Sequence, residues 1–434
     1  MGKKIAVIGG GSIYAAGILR TLADRADEFA GARVVLEDVR PERQETILAL
    51  GRNLARARAA DLQFEATLSL DEALDGADFV ITCFRVGSRE ALQLDVAIPA
   101  KYGIYGDETA GPGGIFFALR TVPVVVDIAK RMESLCPDAY MINYANPTAF
   151  VADAVRRMSR IEELSLCSGF LGVAQLVEQF LGLRQEDVVA FTAGVNHYTW
   201  LLKAFVGGKD VAPDLVRAMS ALDTTDAPWG WQRVIEITRA YHFVPIPGSH
   251  MVDYLFRSDT VEHQRAVQHW GLADPRTVGT AVWRHYEELA KAQDPKFDMS
   301  LPGIGHFVGS VSDLAVAMIA AIIGDRREVF AVNLPNVGQV ANLPRGEIVE
   351  SPAVVGAFGA QPIAVGDIPE TVLPMTETLA RARKLAVDAG LTGDREKLLA
   401  ALMTDPLVDS LSKAKPMMEE MLAAQAQWLP QFAG

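Results

Sequence analysis

The apolar run Ile5 to Ile8 ends in three consecutive glycines, and the amphipathic pattern IYAAGILRTLADRA follows at once. A strand that meets a glycine turn and then a helix brings main-chain N–H groups up to a phosphate. Gly9 and Gly11 match the first two positions of the G-x-G-x-x-G dinucleotide fingerprint, one for the tight turn and one for close approach of backbone to a pyrophosphate. Ser12 and Ile13 open the helix beside it, and Tyr14 stands where a third glycine is usual. The second strand closes in LEDV, so Glu37 or Asp38 can accept hydrogen bonds from the adenosine ribose, and a carboxylate there disfavours a 2′-phosphate. A helix cap or a solvated turn is the competing reading of that pair. The cofactor implied is NAD, ahead of NADP.

The alternation continues. KIAVIGG, ARVVLEDV, LQFEATLS, ADFVITCF and AYMINYAN read as strands, and helical patterns lie between them. That order predicts an α/β fold with a Rossmann-type, doubly wound parallel sheet over residues 1–195. From about Gln175 helical patterns prevail, interrupted by the strand-like EVFAVNLP and EIVESPAVV. Residues 196–434 are expected to form a C-terminal mixed α+β domain for substrate binding and self-association. Half of the 434 residues are apolar and 22 % are charged, which suits a large core. A net charge of −13 argues against a nucleic-acid partner. Cys83, Cys136 and Cys167 are too scattered for a disulfide framework and fit a reducing compartment. No apolar run is expected to reach the ~18 residues of a membrane span, and the N-terminal one is too short for a signal peptide. The expected location is the cytoplasm.

Ligands of such sheets bind outside the carboxyl ends of the strands. FRVGSREALQLDVAIPAKYGIYGDETAGPGG reads there as a long polar, glycine-rich segment, and NYANPT, LSLCSGF and GVNHYTW complete the edge. Cys167 and His197 offer a thiolate and an imidazole, too few for a closed structural zinc site but suited to an open catalytic one. A core cysteine and a locally satisfied histidine are the alternative.

GGGSIY, FRVGSRE, DETAGPGGIFFALRTVPV, NYANPT, GVNHYTW, NLPRGEIVESPAVV and QPIAVGDIP occur in an order and spacing that resembles glycoside hydrolase family 4, the NAD- and divalent-metal-dependent glycosidases. The resemblance implies an oxidation–elimination–addition–reduction route: NAD transiently oxidises the sugar C3, a base takes the C2 proton, the aglycone leaves, water adds and the hydride returns. It implies Cys167 and His197 as ligands of a metal, usually manganese, and Asn146 as a contact to substrate hydroxyls. Glu108 and Arg85 match cleft residues that position substrate and cofactor. The base is Tyr254 or His250, and SHMVDY looks closest to the α-galactosidase and α-glucuronidase-like members. Ser168 follows Cys167 where an acidic residue can serve as general acid, so the proton donor to the leaving group is open.

Candidate substrates are α-galactosides, glucuronides and 6-phospho- or 6-sulfo-glycosides such as sulfoquinovosides. Arg85, Arg89 and Arg120 could meet an anion or the pyrophosphate. A homodimer or homotetramer is expected, with no nucleic-acid or membrane partner. The rival readings are an NAD-dependent 2-hydroxy-acid dehydrogenase of the lactate/malate type and a non-catalytic NAD-responsive protein.

Overall fold

The computed structural model describes residues 2–107, 109–246, 248–266, 275–296 and 309–433. Six short strands rich in Val, Ile, Leu and Phe form its first half: β1 (Lys4–Ile8), β2 (Ala32–Glu37), β3 (Leu62–Thr67), β4 (Phe79–Thr82), β5 (Tyr140–Asn143) and β6 (Glu162–Leu166). They pair in parallel in the order β3-β2-β1-β4-β5-β6. This is the doubly wound order of dinucleotide-binding sheets, with its switch point between β1 and β4. Ile5, Val7, Ile81 and Ile142 are sealed under helices on one face, and Val80 and Met141 on the other. Each such side chain contributes roughly 1.5–3 kcal/mol by leaving water.

The second half does not sit on the first as a separate layer. It extends the same sheet. The later strands are β7 (Val189–Val195), β8 (Tyr198–Val206), β9 (Lys209–Asp210), β10 (Val244–Ile246), β11 (Glu328–Pro335), β12 (Ile348–Gly356) and β13 (Gly359–Pro362). β11 joins β6 antiparallel, and β12, β7, β8 and β10 follow outward. Both strand-like segments expected in the second half are strands, β11 and β12. The β7–β8 hairpin spans the expected 195/196 boundary.

Two helices depart from the sequence expectation. Ser88–Lys101 is a helix inside the segment read as a polar loop; its mixed composition and Pro99 hide the period. Gly111–Leu135 is long and apolar enough to cross a membrane, contrary to expectation. It is apolar on all sides because it runs through the core, with every residue from Gly111 to Val122 buried.

Candidate functional site

The glycine turn folds as the fingerprint requires. Gly9 has φ +90°, and its N–H and that of Gly10 donate to the Glu37 carbonyl at 2.9 and 2.7 Å. A Cβ at Gly9 would lie 2.9 Å from the Cys83 main chain, so only glycine allows this approach. Ser12 caps the Ile13–Asp24 helix by accepting from Ala15 N–H, which sets the positive end of that helix at the carboxyl edge of β1. The two acidic residues differ. Glu37 is buried, and burial followed by the Asp38 charge pushes it up to about 7. Asp38 lies at the edge, accepting from Gly11 N–H at 2.8 Å and Arg40 N–H at 2.9 Å. Asp38 is therefore the carboxylate placed to meet a ribose. The helix of the second half, Pro275–Leu289, completes this region: Tyr286 donates to the Ile13 carbonyl at 3.0 Å. The turn, the helix end and the ribose carboxylate together fit a dinucleotide.

Beyond the switch point, the strand ends carry the other expected residues. Arg85 lies over the Phe117 ring, 4.3 Å from its centroid. Arg120 faces an internal carboxylate and not the cleft. It is buried and paired with Asp95 at 2.9 and 2.6 Å, with Gln425 as a further partner. A guanidinium inside an apolar helix needs an internal counter-ion, and Asp95 is that ion. Asn146 lies in the loop after β5 and accepts from Thr148 Oγ1 at 2.9 Å. Glu108 lies outside the described residues.

A row of buried polar side chains runs under this edge. Thr82, Asn143, Ser165, Asn333 and Glu350 stand level on neighbouring strands. Thr82 donates to Asn143 at 2.7 Å, and Asn143 to Ser165 at 2.8 Å. Asn333 donates to the Ser165 carbonyl at 3.4 Å and to Glu350 at 3.1 Å. Glu350 also accepts from Asn196 at 2.6 Å and stands level with Gly194 of β7. This register brings the two-residue β7–β8 turn, Asn196–His197, beside Cys167. Burial and then the Glu350 charge push the Cys167 thiol up to about 12, against hydrogen bonds from Gly169 N–H and the Asn196 side chain.

His197 adopts the left-handed conformation at φ +64° and is buried. Its Nδ1 is 2.8 Å from Thr109 Oγ1, so Nε2 is the nitrogen a metal would use. Burial, then the charge of His250, hold its imidazole well below the ordinary value. The His250 ring stacks on it, and His250 Nδ1 lies 3.3 Å from Asp107 and 3.6 Å from Asp253. Burial opposes a charged His250, but the two carboxylates outweigh it and push the ring up to about 10. Burial raises Asp253 to about 7. One donor atom each from Asp107, His250 and Asp253 falls within 4.8 Å of the others, and Asp253 Oδ1 is buried without a hydrogen-bond partner among the described residues. Such a set suits a hard divalent cation. Tyr254 lies one turn on from His250, buried edge-to-face on Tyr198. Burial and then the Asp405 charge raise its phenol well above the ordinary value, with Arg383 opposing.

The sequence reading missed Asp107, Asp253 and Glu350. The i, i+3 spacing in HMVD was a usable signal for Asp253, since it puts both side chains on one helix face.

Two family models match. The model for family 4 glycosyl hydrolases covers residues 4–183, and the one for the family 4 C-terminal domain covers residues 192–408. The chain belongs to family 4 of the glycosyl hydrolases. It is an NAD-dependent glycoside hydrolase, which sets aside the dehydrogenase and non-catalytic readings. It is 33 % identical to a Bacillus subtilis protein described as "Probable 6-phospho-beta-glucosidase", over 99 % of this chain and 98 % of that one. It is 30 % identical to the maltose-6′-phosphate glucosidase of the same organism, over 99 % and 97 % of the two chains. The fold matches a crystal structure of a 6-phospho-alpha-glucosidase from gut microorganisms in complex with NAD and Mn²⁺. The TM-score is 0.89 at 24 % identity, over 99 % of this chain and all of that one.

Proposed function

We propose that the chain hydrolyses a 6-phosphorylated hexoside by transient oxidation at C3, proton removal at C2, elimination of the aglycone, addition of water and return of the hydride. The observation that carries this reading is one shared edge: Asp38 and the glycine turn at one end, Cys167 and the His197–His250 pair at the other. The phosphorylated substrate draws on the relatives at 33 % and 30 % identity, whose names are those of phosphoglucosidases.

Bound NAD would take and return the hydride, and a divalent cation, manganese for preference, would supply Lewis-acid stabilisation of the charge that develops on the sugar oxygens. The glycine turn, Ser12 and Ile13 bind the pyrophosphate, and Asp38 the ribose. Cys167 and His197 hold the cation. Arg85, Asn146 and Glu108 position the sugar. His250, which the two carboxylates hold protonated, gives that proton to the leaving oxygen and takes the C2 proton in its place, oriented by Asp107 and Asp253, because it lies at the cleft while Tyr254 is packed in the core. The exchange also answers the absence of an acidic residue at Ser168. A second reading has one observation in its favour: the clustered Asp107, His250 and Asp253 donors hold the cation themselves. Mn²⁺ titration of Cys167→Ser against Asp253→Asn separates the two.

Self-association as a dimer or tetramer belongs to the same proposal, supported by Val329 and Phe358, 44 % and 48 % exposed near one end of the β11–β12–β13 ladder. Three unpaired cysteines suit a reducing compartment such as the cytoplasm. A panel of aryl glycosides tests the substrate. Release that needs NAD and Mn²⁺ and is confined to 6-phosphoglycosides supports the proposal. Faster hydrolysis of unphosphorylated galactosides, glucuronides or sulfoquinovosides overturns it.

A further inference from the structure

The ribose end of the cofactor cleft carries more positive charge than an NAD site needs. Asp38 is its half-buried carboxylate, and both of its oxygens already receive main-chain N–H groups, from Gly11 and Arg40. Glu37 beside it is buried. Three arginine charges meet near Asp38, since Arg43 feels those of Arg40, Arg89 and Asp38. Arg40 follows it by two residues. Arg43 follows by five, and its Cβ packs against Gly11, 3.0 Å from where a Cβ there would be. Arg89 begins the helix after β4, the strand next to β1 in the sheet. The charges of Arg40 and Arg89 reach Arg43 and weaken its hold on its proton, after burial.

Arg43 is also held in place. Its guanidinium lies over the Trp283 ring, 4.6 Å from the centroid. Trp283 belongs to the Pro275–Leu289 helix, which is fixed to the cofactor region through Tyr286–Ile13 and through Asn53 donating to the Ala290 carbonyl at 2.8 Å. A stacked guanidinium keeps its plane and presents its N–H edge in a fixed direction, which favours bidentate binding of a phosphate. Arginine near the ribose carboxylate is how Rossmann-type sites accommodate a 2′-phosphate.

We propose that Arg40, Arg43 and Arg89 form a phosphate-binding pocket at the adenosine ribose, so that this chain takes NADP as well as NAD. The proposal rests on the cofactor site described above. It refines the sequence expectation: the acidic pair remains, but its repulsion is outweighed. The same pocket chemistry could serve the phosphate of the sugar, and the test separates the two sources.

Full-length protein is titrated calorimetrically with NAD, NADP, ADP, 2′,5′-ADP and glucose 6-phosphate. The expected result is an NADP Kd within about tenfold of that for NAD, and 2′,5′-ADP binding tighter than ADP. Arg40→Ala and Arg43→Ala should each raise the NADP-to-NAD Kd ratio by about tenfold or more, the size of a lost charge-assisted hydrogen bond. Arg43→Lys, which keeps charge but loses the planar stack, should fall between. Three results would overturn the pocket: NADP bound more than about 100-fold more weakly than NAD, variants that weaken both cofactors equally, or displacement of 2′,5′-ADP by glucose 6-phosphate. Failure to bind NAD at all would instead count against the cofactor site itself.

Discussion

The imidazole rings of His197 and His250 lie face to face, 4.1 Å between centroids and 2° from parallel. One comes from the β7–β8 turn and the other from the Gly248–Leu255 helix, so the stack locks two elements of the second half against the edge of the dinucleotide-binding sheet. The two rings face different partners. His197 meets a neutral hydroxyl, and His250 meets two carboxylates. The proposed roles use that asymmetry, with His197 as a neutral ligand and His250 as a proton carrier.

His250→Ala should therefore lower kcat by about 10²-fold or more, the usual contribution of a positioned acid–base group. NAD affinity should hold. Asp253→Asn should give a smaller loss and shift the pH profile. If kcat stays near wild type in His250→Ala and collapses in Tyr254→Phe, the proton carrier is Tyr254.

Chelation should abolish turnover, and added Mn²⁺ should restore it. Cys167→Ser should weaken Mn²⁺ binding by about tenfold or more, read by electron paramagnetic resonance, with NAD binding intact. Unchanged Mn²⁺ affinity in Cys167→Ser, with loss in Asp253→Asn, moves the cation to the Asp107–His250–Asp253 cluster.

Arg120→Ala should destabilise the fold by about 3–5 kcal/mol, because it leaves Asp95 in the core without its counter-ion. Replacing both partners with apolar residues should cost less. Denaturant unfolding measures both. A loss below about 1 kcal/mol in Arg120→Ala would mean that the pair carries no uncompensated charge when broken.

Glu163 is buried, and Oε2 has no hydrogen-bond partner among the described residues. Burial raises its carboxyl from 4.5 to about 7. The folded state therefore holds this proton more tightly than the unfolded chain. Its favourable contribution is complete below pH 4.5 and is lost as the pH rises through about 7. Glu163→Gln should change stability little at low pH and raise it on the order of 1–3 kcal/mol at pH 8. Equal effects at both pH values would contradict the assignment.

The dinucleotide half was legible because its signals are local. Glycine, a four-residue apolar run and LEDV each declare a turn or a strand without reference to distant residues. Cys167 and His197 were legible as residues, but the approach of the β7–β8 turn to Cys167, made through Asn196, was not. It depends on the register Ser165–Asn333–Glu350–Gly194, which joins four strands far apart in sequence. Glu350 was hidden for the same reason: in EIVESPAVV it reads as an exposed position of an edge strand, and only its neighbours bury it. Arg120 was misread, although its place amid the apolar IFFALRTVPVVV pointed to an internal partner.

The proposed route takes the sugar through transient oxidation at C3 and proton loss at C2. Hydrolysis of a 6-phosphoglycoside in D₂O, with NAD and Mn²⁺, tests this most directly by NMR of the product. Deuterium at C2 in the released sugar, with NADH never exceeding the enzyme concentration, is the expected result. Product formed without deuterium at C2, at a rate independent of NAD, would contradict it.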